Sequence, residues 1–110
     1  MISSGYEKAL EIIWDRFNPE LWNIYAFHCS DGDNWPDDIR KSVFRAMELC
    51  QVCNLFGYGE IISSWTAPRS MIEEYRKTMV DVPNFISVSF GSKEEIWPAF
   101  KRLLTLEEGE

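Results

Sequence analysis

The hydrophobic positions of the first 30 residues repeat first with a helical period and then with the pattern of a buried strand. Residues 4–17 carry apolar side chains three and four positions apart and end before the Asn18-Pro19 dipeptide, which predicts a helix. Aromatic and β-branched residues then occupy both parities of residues 22–29, as is typical of a strand covered on both faces. The start of the chain therefore predicts a helix followed by a central strand.

The middle of the chain repeats this order. A polar loop at residues 30–38 leads into a second predicted helix that runs to about Phe56, with Gly57 as its expected cap. Residues 60–65 have the composition of a strand. Residues 66–80 then carry apolar side chains at helical spacing, which predicts a third helix.

The last third of the chain has the clearest strand pattern. Apolar side chains alternate with Ser87 and Ser89 over residues 85–90, which predicts a strand with one apolar face. A capping-box pattern at residues 92–95 then begins a helix that is expected to run to about Leu106.

The predicted order of elements is α-β-α-β-α-β-α. Alternating strands and helices are typical of parallel sheets with right-handed crossovers. The expected fold class is therefore α/β, with a small, mostly parallel three-stranded sheet flanked by about four helices. We expect one globular domain over residues 1–106 and a frayed acidic tail over residues 107–110.

Composition narrows the class of partner. The 110 residues include 11 basic and 18 acidic side chains, which give a formal net charge of -7. Too few basic groups are present to neutralise many phosphates, so nucleic acid is not an expected partner, whereas a basic protein is. The sequence has neither a signal-peptide pattern nor an apolar run long enough to span a bilayer. We therefore expect a cytoplasmic protein without a membrane partner.

The cysteines and the single histidine offer candidate chemistry, but each has a simpler explanation. Cys50 and Cys53 form a Cys-x-x-Cys motif late in a predicted helix, where the helix dipole disfavours a thiolate, so both are expected in the core. A zinc site that adds His28 and Cys29 is not expected, because neighbours on a strand face opposite sides. His28 also has no evident nucleophile or orienting acid around it. The sequence therefore predicts neither an enzyme nor a bound metal or cofactor.

The candidate binding site is the acidic loop after the first predicted strand. Four aspartates fall within eight residues around a tryptophan: Asp31, Asp33, Trp35, Asp37 and Asp38. Sites in parallel sheets form at the carboxyl ends of strands, where this loop begins. Three interpretations remain open: a surface that binds a partner around Trp35, a divalent-cation site, and helix capping with solvated charge. The spacing does not match an EF-hand, because Ser42 occupies the twelfth position.

Small size, acidity and an α/β fold make this chain similar, at the level of class, to bacterial immunity proteins that neutralise basic toxins. The leading hypothesis is therefore a cytosolic protein-binding module, an immunity or inhibitor protein that binds a basic toxin such as a nuclease through an acidic and aromatic surface. One alternative is a small metal-dependent enzyme or divalent-cation-binding domain that uses residues 31–38. Another is an oligomerising structural subunit; the sequence leaves open whether the chain is a monomer or a dimer.

Overall fold

Three parallel strands form the centre of the molecule. The computed structural model describes residues 1–62, 70–98 and 101–102. Its elements follow the chain in this order: α1 (Ile2–Arg16), β1 (Tyr25–Ser30), α2 (Ile39–Val52), β2 (Leu55–Ile61), α3 (Met71–Thr78) and β3 (Phe85–Phe90). A short 3-10 turn at Pro36–Asp38 precedes α2, and another at Lys93–Glu95 precedes the helical residues 96–98 and 101–102 of the described part of the chain.

The sheet has the order β1-β2-β3, and both pairs of strands are parallel. Tyr25 lies opposite Leu55 in the first pair, and Phe56 lies opposite Phe85 in the second. The predicted fold class is thus confirmed: a small parallel three-stranded sheet in an α/β arrangement. Within the described residues, no helix is long and apolar enough to cross a membrane.

The core lies between one face of the sheet and the three helices. α1 packs on α2, and α3 packs on α2, β2 and β3. The alternation along β2 turns Phe56 and Tyr58 towards the helices, where the ring of Phe56 packs edge to face on Tyr6 of α1 and the ring of Tyr58 packs on Tyr75 of α3. The buried cluster is made of Tyr6, Ile13, Val43, Ala46, Leu49, Cys50, Cys53, Phe56, Tyr58, Met71, Ile72, Tyr75 and Met79.

The prediction for the end of α2 is wrong. The helix ends at Val52 and β2 begins at Leu55, so Phe56 and Gly57 belong to a strand instead of ending a helix. The Asn84 side-chain amide donates hydrogen bonds to the carbonyls of Cys50 (2.7 Å) and Cys53 (2.9 Å). These bonds satisfy carbonyls that the helix end leaves without partners.

The bounds of the other helices and strands differ less from the predicted ones. α1 and β3 lie where the pattern predicts them, and β1 begins three residues later than expected. The strand predicted for residues 60–65 overlaps β2 only at its end, since β2 spans Leu55–Ile61; residues 63–65 lie outside the described residues. α3 spans Met71–Thr78 within the predicted 66–80, of which residues 66–69 lie outside the described residues. Residues 99–100 and 103–106 of the last predicted helix and the tail at 107–110 likewise lie outside the described residues.

Candidate functional site

The loop between β1 and α2 has a path fixed by hydrogen bonds. Gly32 adopts a φ of 86°, in the left-handed region that favours glycine. Its backbone N–H donates to the Ser30 hydroxyl (3.0 Å), and the next N–H, of Asp33, donates to the Asp31 carboxylate (3.0 Å). The Gly32 carbonyl accepts a bond from the Met71 N–H (3.2 Å) at the start of α3. The loop is therefore tied to both the sheet and a helix.

Three of the four predicted aspartates lie on the surface of this loop. Asp31, Asp33 and Asp37 are exposed, and the Trp35 side chain is 66% exposed between them. Within the described part of the chain, no lysine or arginine forms a salt bridge with these carboxylates. We call these four residues the acidic–aromatic loop. It presents negative charge and a large apolar ring side by side.

Asp38, the fourth predicted aspartate, does not belong to this surface. It is only 3% exposed, and its carboxylate accepts hydrogen bonds from the Ser3 N–H (3.1 Å), the Ser3 hydroxyl and the Ser42 hydroxyl (2.9 Å). Burial raises the pKa of Asp38, but the hydrogen bonds from Ser3 and Ser42 outweigh it and hold the pKa below its ordinary value. Asp38 thus anchors the first turn of α1 to the start of α2.

A cleft of about 720 Å³ opens beside the acidic–aromatic loop, between α1 and β1. Trp35 and Asp33 line it from the loop, and Tyr6 lines it from α1. Ala26, Phe27 and His28, three successive residues of β1, line the opposite wall. Its mixed lining of aromatic rings with a few polar groups is typical of sites that bind another molecule.

A chain of hydrogen bonds links the wall of this cleft to the core. The Tyr6 hydroxyl lies 2.8 Å from His28 Nδ1 and 2.7 Å from the Tyr75 hydroxyl. Burial lowers the pKa of His28 and raises the pKa of both tyrosines above their usual range. All three groups are therefore neutral near pH 7. A neutral imidazole can accept a hydrogen bond from the Tyr6 hydroxyl through Nδ1.

The Cys-x-x-Cys motif lies in the core, as predicted. Cys50 and Cys53 are both buried, and burial raises the pKa of Cys50 to about 12 and that of Cys53 to about 11, so both are thiols at neutral pH. Cys29 is exposed, whereas His28 beside it contacts the rings of the core. Among the described residues, no three His, Cys, Asp or Glu side chains are placed to hold a metal ion together.

Glu60 is the polar residue that sequence reasoning missed. It lies near the carboxyl end of the central strand and is fully buried. Its Oε1 accepts hydrogen bonds from the Tyr58 hydroxyl (2.8 Å) and the Ile72 N–H (3.0 Å), while Oε2 has no hydrogen-bond partner in the described part of the chain. The sequence does carry a signal, because Glu60 is the single charged residue in the otherwise apolar run of residues 55–62. The prediction that α2 continues to Phe56 divides this run, so Glu60 is not recognised as a residue inside a buried strand.

Fold and loop together define a class: a small parallel α/β domain with an acidic and aromatic loop beside a cleft at its first strand. The chain belongs to the DUF444 family, described as proteins of unknown function, because the family model matches residues 1–107.

The relatives of this chain are longer proteins. The chain is 54% identical over 103 residues to a UPF0229 protein of Ruminiclostridium cellulolyticum, which covers 94% of the chain and 26% of the relative. It is 39% identical over 106 residues to one of Clostridium perfringens (96% and 26%), and 37% identical over 108 residues to one of Bacillus cereus (98% and 27%). The chain thus spans about a quarter of the length of these relatives. No solved structure matches it.

Proposed function

We propose that the chain is a protein-binding module whose acidic–aromatic loop contacts a basic partner. The observation that carries this proposal is the position of Trp35, 66% exposed on a loop with three exposed carboxylates. Binding energy at interfaces concentrates in a few large side chains, among which tryptophan is enriched, with polar residues around them. A basic partner would bury the ring of Trp35 while its lysines and arginines contact the carboxylates.

The hydrogen bonds of the loop support this role. The Gly32 and Asp33 amides are bonded within the loop, and the buried Asp38 bonds α1 directly behind it. A surface that is already ordered loses less conformational entropy when it binds. The acidic–aromatic loop is therefore suited to binding without rearrangement.

Net charge supports the same choice of partner. A formal charge of -7 attracts basic proteins and repels phosphates. Such attraction accelerates association at low salt. Dissolved ions weaken it, because at 0.1 M salt they largely screen charges that are more than roughly 10 Å apart. Association through the acidic–aromatic loop should accordingly slow as ionic strength rises.

The proposal also includes the compartment in which binding takes place and the kind of partner. The three cysteines are free thiols, which fits the reducing cytoplasm that we propose as the site of binding. An immunity or inhibitor role against a basic toxin stays a prediction from composition and class. Because the relatives are about four times as long, the activity of a whole protein of this family is a separate question. The cation-binding and oligomeric alternatives likewise stay predictions.

The test compares two triple variants that change net charge equally. In the first, Asp31→Asn, Asp33→Asn and Asp37→Asn neutralise the loop but keep the oxygen that bonds the Asp33 N–H. In the matched control, Glu11→Gln, Asp15→Asn and Glu20→Gln neutralise three exposed carboxylates elsewhere.

Binding of a fluorescent ten-residue lysine- and arginine-rich peptide is measured for both variants and the unchanged chain. Three exposed ion pairs of about 0.5 kcal/mol each correspond to roughly tenfold in Kd. We expect that loss for the loop variant and a smaller one for the control. Equal losses would mean that charge acts as a whole, which contradicts a binding site at the loop.

A further inference from the structure

The cleft between α1 and β1 shares two residues with the acidic–aromatic loop. Asp33 and Trp35 belong to the loop and also line the cleft, whose volume is about 720 Å³. Sites that enclose a ligand usually measure about 300–1,000 Å³. A partner that contacts the loop can therefore also place side chains in the cleft.

The loop lies at one end of this cleft. α1 begins there, because the N–H of Ile2 donates to the side chain of Asn34 (3.4 Å). β1 ends there, because the loop follows Ser30 directly. A residue later in α1 or earlier in β1 therefore lies further from the loop. We call the part of the cleft that is lined by Asp33, Asn34 and Trp35 the loop end.

The opposite end of the cleft is apolar. Ala9 follows the first residue of α1 by seven positions, which places it about 10 Å further along the helix. Ala26 precedes the last residue of β1 by four positions, or about 13 Å, and Phe56 of β2 lies opposite Ala26. We call the four lining residues in this region the apolar end: Ala9, Ala26, Leu49 and Phe56.

The polar side chains of the walls have partners inside the protein. The Tyr6 hydroxyl lies 2.8 Å from His28 Nδ1, and the Asn34 amide donates to the Ser42 hydroxyl (3.0 Å). Burial lowers the pKa of His28, so its ring is neutral near pH 7. Among the described residues that line the cleft, Asp33 alone therefore has a charged side chain. This arrangement favours a cation at the loop end and an apolar group at the apolar end.

We propose that the cleft binds a basic residue of the partner together with a large apolar residue next to it. This inference rests on the proposed function and narrows it, from a basic partner to one whose basic segment also carries an apolar side chain. The cation would contact the Asp33 carboxylate and the face of the Trp35 ring. The apolar side chain would leave water and pack against Ala26 and Leu49 at the apolar end.

Two peptides of equal charge test the proposal on this chain. Both are lysine- and arginine-rich; the leucine peptide has leucine next to one arginine, and the serine peptide has serine in its place. We expect the leucine peptide to bind at least about tenfold more tightly, because its leucine side chain is buried on binding. Equal Kd values would overturn this inference while leaving the proposed function in place. If neither peptide binds, both proposals are wrong.

The methyl signals of three alanines show where the leucine binds. Ala9 and Ala26 line the cleft, whereas Ala46 is fully buried in α2 and is not one of the lining residues. In an NMR titration with the leucine peptide, the signals of Ala9 and Ala26 should shift and saturate while that of Ala46 stays in place. Preferred binding of the leucine peptide with Ala9 and Ala26 unmoved would overturn the proposal, since the leucine would then bind elsewhere.

A substitution in α1 separates the apolar end from the charge of the loop. Ala9→Leu fills part of the apolar end and keeps every carboxylate, and the control Ser4→Leu adds the same side chain at an exposed position outside the cleft. Ala9→Leu should abolish the preference for the leucine peptide, and Ser4→Leu should preserve it. A preference that survives in a folded Ala9→Leu variant would overturn the proposal. If this variant does not fold, the alanine signals of the unchanged chain still decide the question.

Discussion

The carboxylate of Asp38 bonds both the backbone N–H and the hydroxyl of Ser3, a residue 35 positions earlier in the chain. The bonds satisfy an amide in the first turn of α1, where a negative charge is also favoured by the helix dipole. They join the amino end of α1 to the start of α2, behind the acidic–aromatic loop. Asp38 therefore stabilises the site without facing a partner.

Replacing Asp38 with asparagine should destabilise the fold. Asp38→Asn puts an amide donor beside the Ser3 and Ser42 donors and removes the charge that they stabilise. Charged hydrogen bonds contribute about 1.5–3 kcal/mol each in mutational series, so we expect a loss of roughly 2–3 kcal/mol in the free energy of unfolding. Urea denaturation measures it. The exposed Asp37→Asn variant is the control and should change stability little; equal losses would show that the buried bonds are unimportant.

The same carboxylate makes stability depend on acid. Its pKa is lower in the folded protein than in the unfolded chain, so its contribution is fully present above the unfolded pKa of about 4 and is lost as the pH falls through the folded pKa. We expect the difference in free energy of unfolding between the unchanged chain and Asp38→Asn to keep its full size from pH 5 to 7. The difference should shrink below about pH 4. A difference that grows on acidification would contradict this assignment.

Gly32 should resist substitution more than a glycine in a helix. A Cβ at Gly32 would lie 2.6 Å from the Glu60 carboxyl carbon, and the φ of 86° is unfavourable for other residues. Gly32→Ala should therefore lower the free energy of unfolding by at least about 1–3 kcal/mol. Gly5→Ala is the control, because among the described residues a Cβ at Gly5 would meet no atom within 4 Å beyond its chain neighbours and the backbone of its own helix, and alanine favours α1 by roughly 0.5–1 kcal/mol. In thermal denaturation, the Tm should fall for Gly32→Ala and rise for Gly5→Ala. A higher Tm for Gly32→Ala would refute the close contact with Glu60.

His28 should add a second, separate pH dependence. Burial lowers its pKa, so the unfolded chain binds a proton more readily and stability should fall as the pH drops below about 6.5. Protonation would also prevent Nδ1 from accepting the hydrogen bond of the Tyr6 hydroxyl. The chain has a single histidine, so His28→Gln should remove the change in Tm between pH 7.5 and 5.5 that the unchanged chain shows. The same slope in both proteins would contradict this origin.

The parts of the fold that sequence reasoning found are those that depend on local patterns. The helical spacing of α1 and the alternation of β3 identify these elements without knowledge of the rest of the chain. The end of α2 could not be predicted in this way, because Asn84, more than 30 residues away, bonds its last carbonyls.

The candidate site divides in the same manner. The clustering of Asp31, Asp33 and Asp37 around Trp35 is visible in the sequence, and the structure keeps them on one exposed loop. The burial of Asp38 depends on Ser3 and could not be seen, since a charged residue in a polar loop is usually exposed. A local sequence pattern therefore does not show which residues hydrogen-bond to partners that are distant in the chain.

The most direct measurement of the central claim follows the indole N–H signal of Trp35 by NMR during titration with the lysine- and arginine-rich peptide. Trp97 is the internal control, because it is 61% exposed and lies outside the acidic–aromatic loop. The account predicts that the Trp35 signal shifts and saturates with the Kd of the peptide while that of Trp97 stays in place. A saturating shift of Trp97 with an unmoved Trp35 would contradict the assignment of the binding surface to this loop.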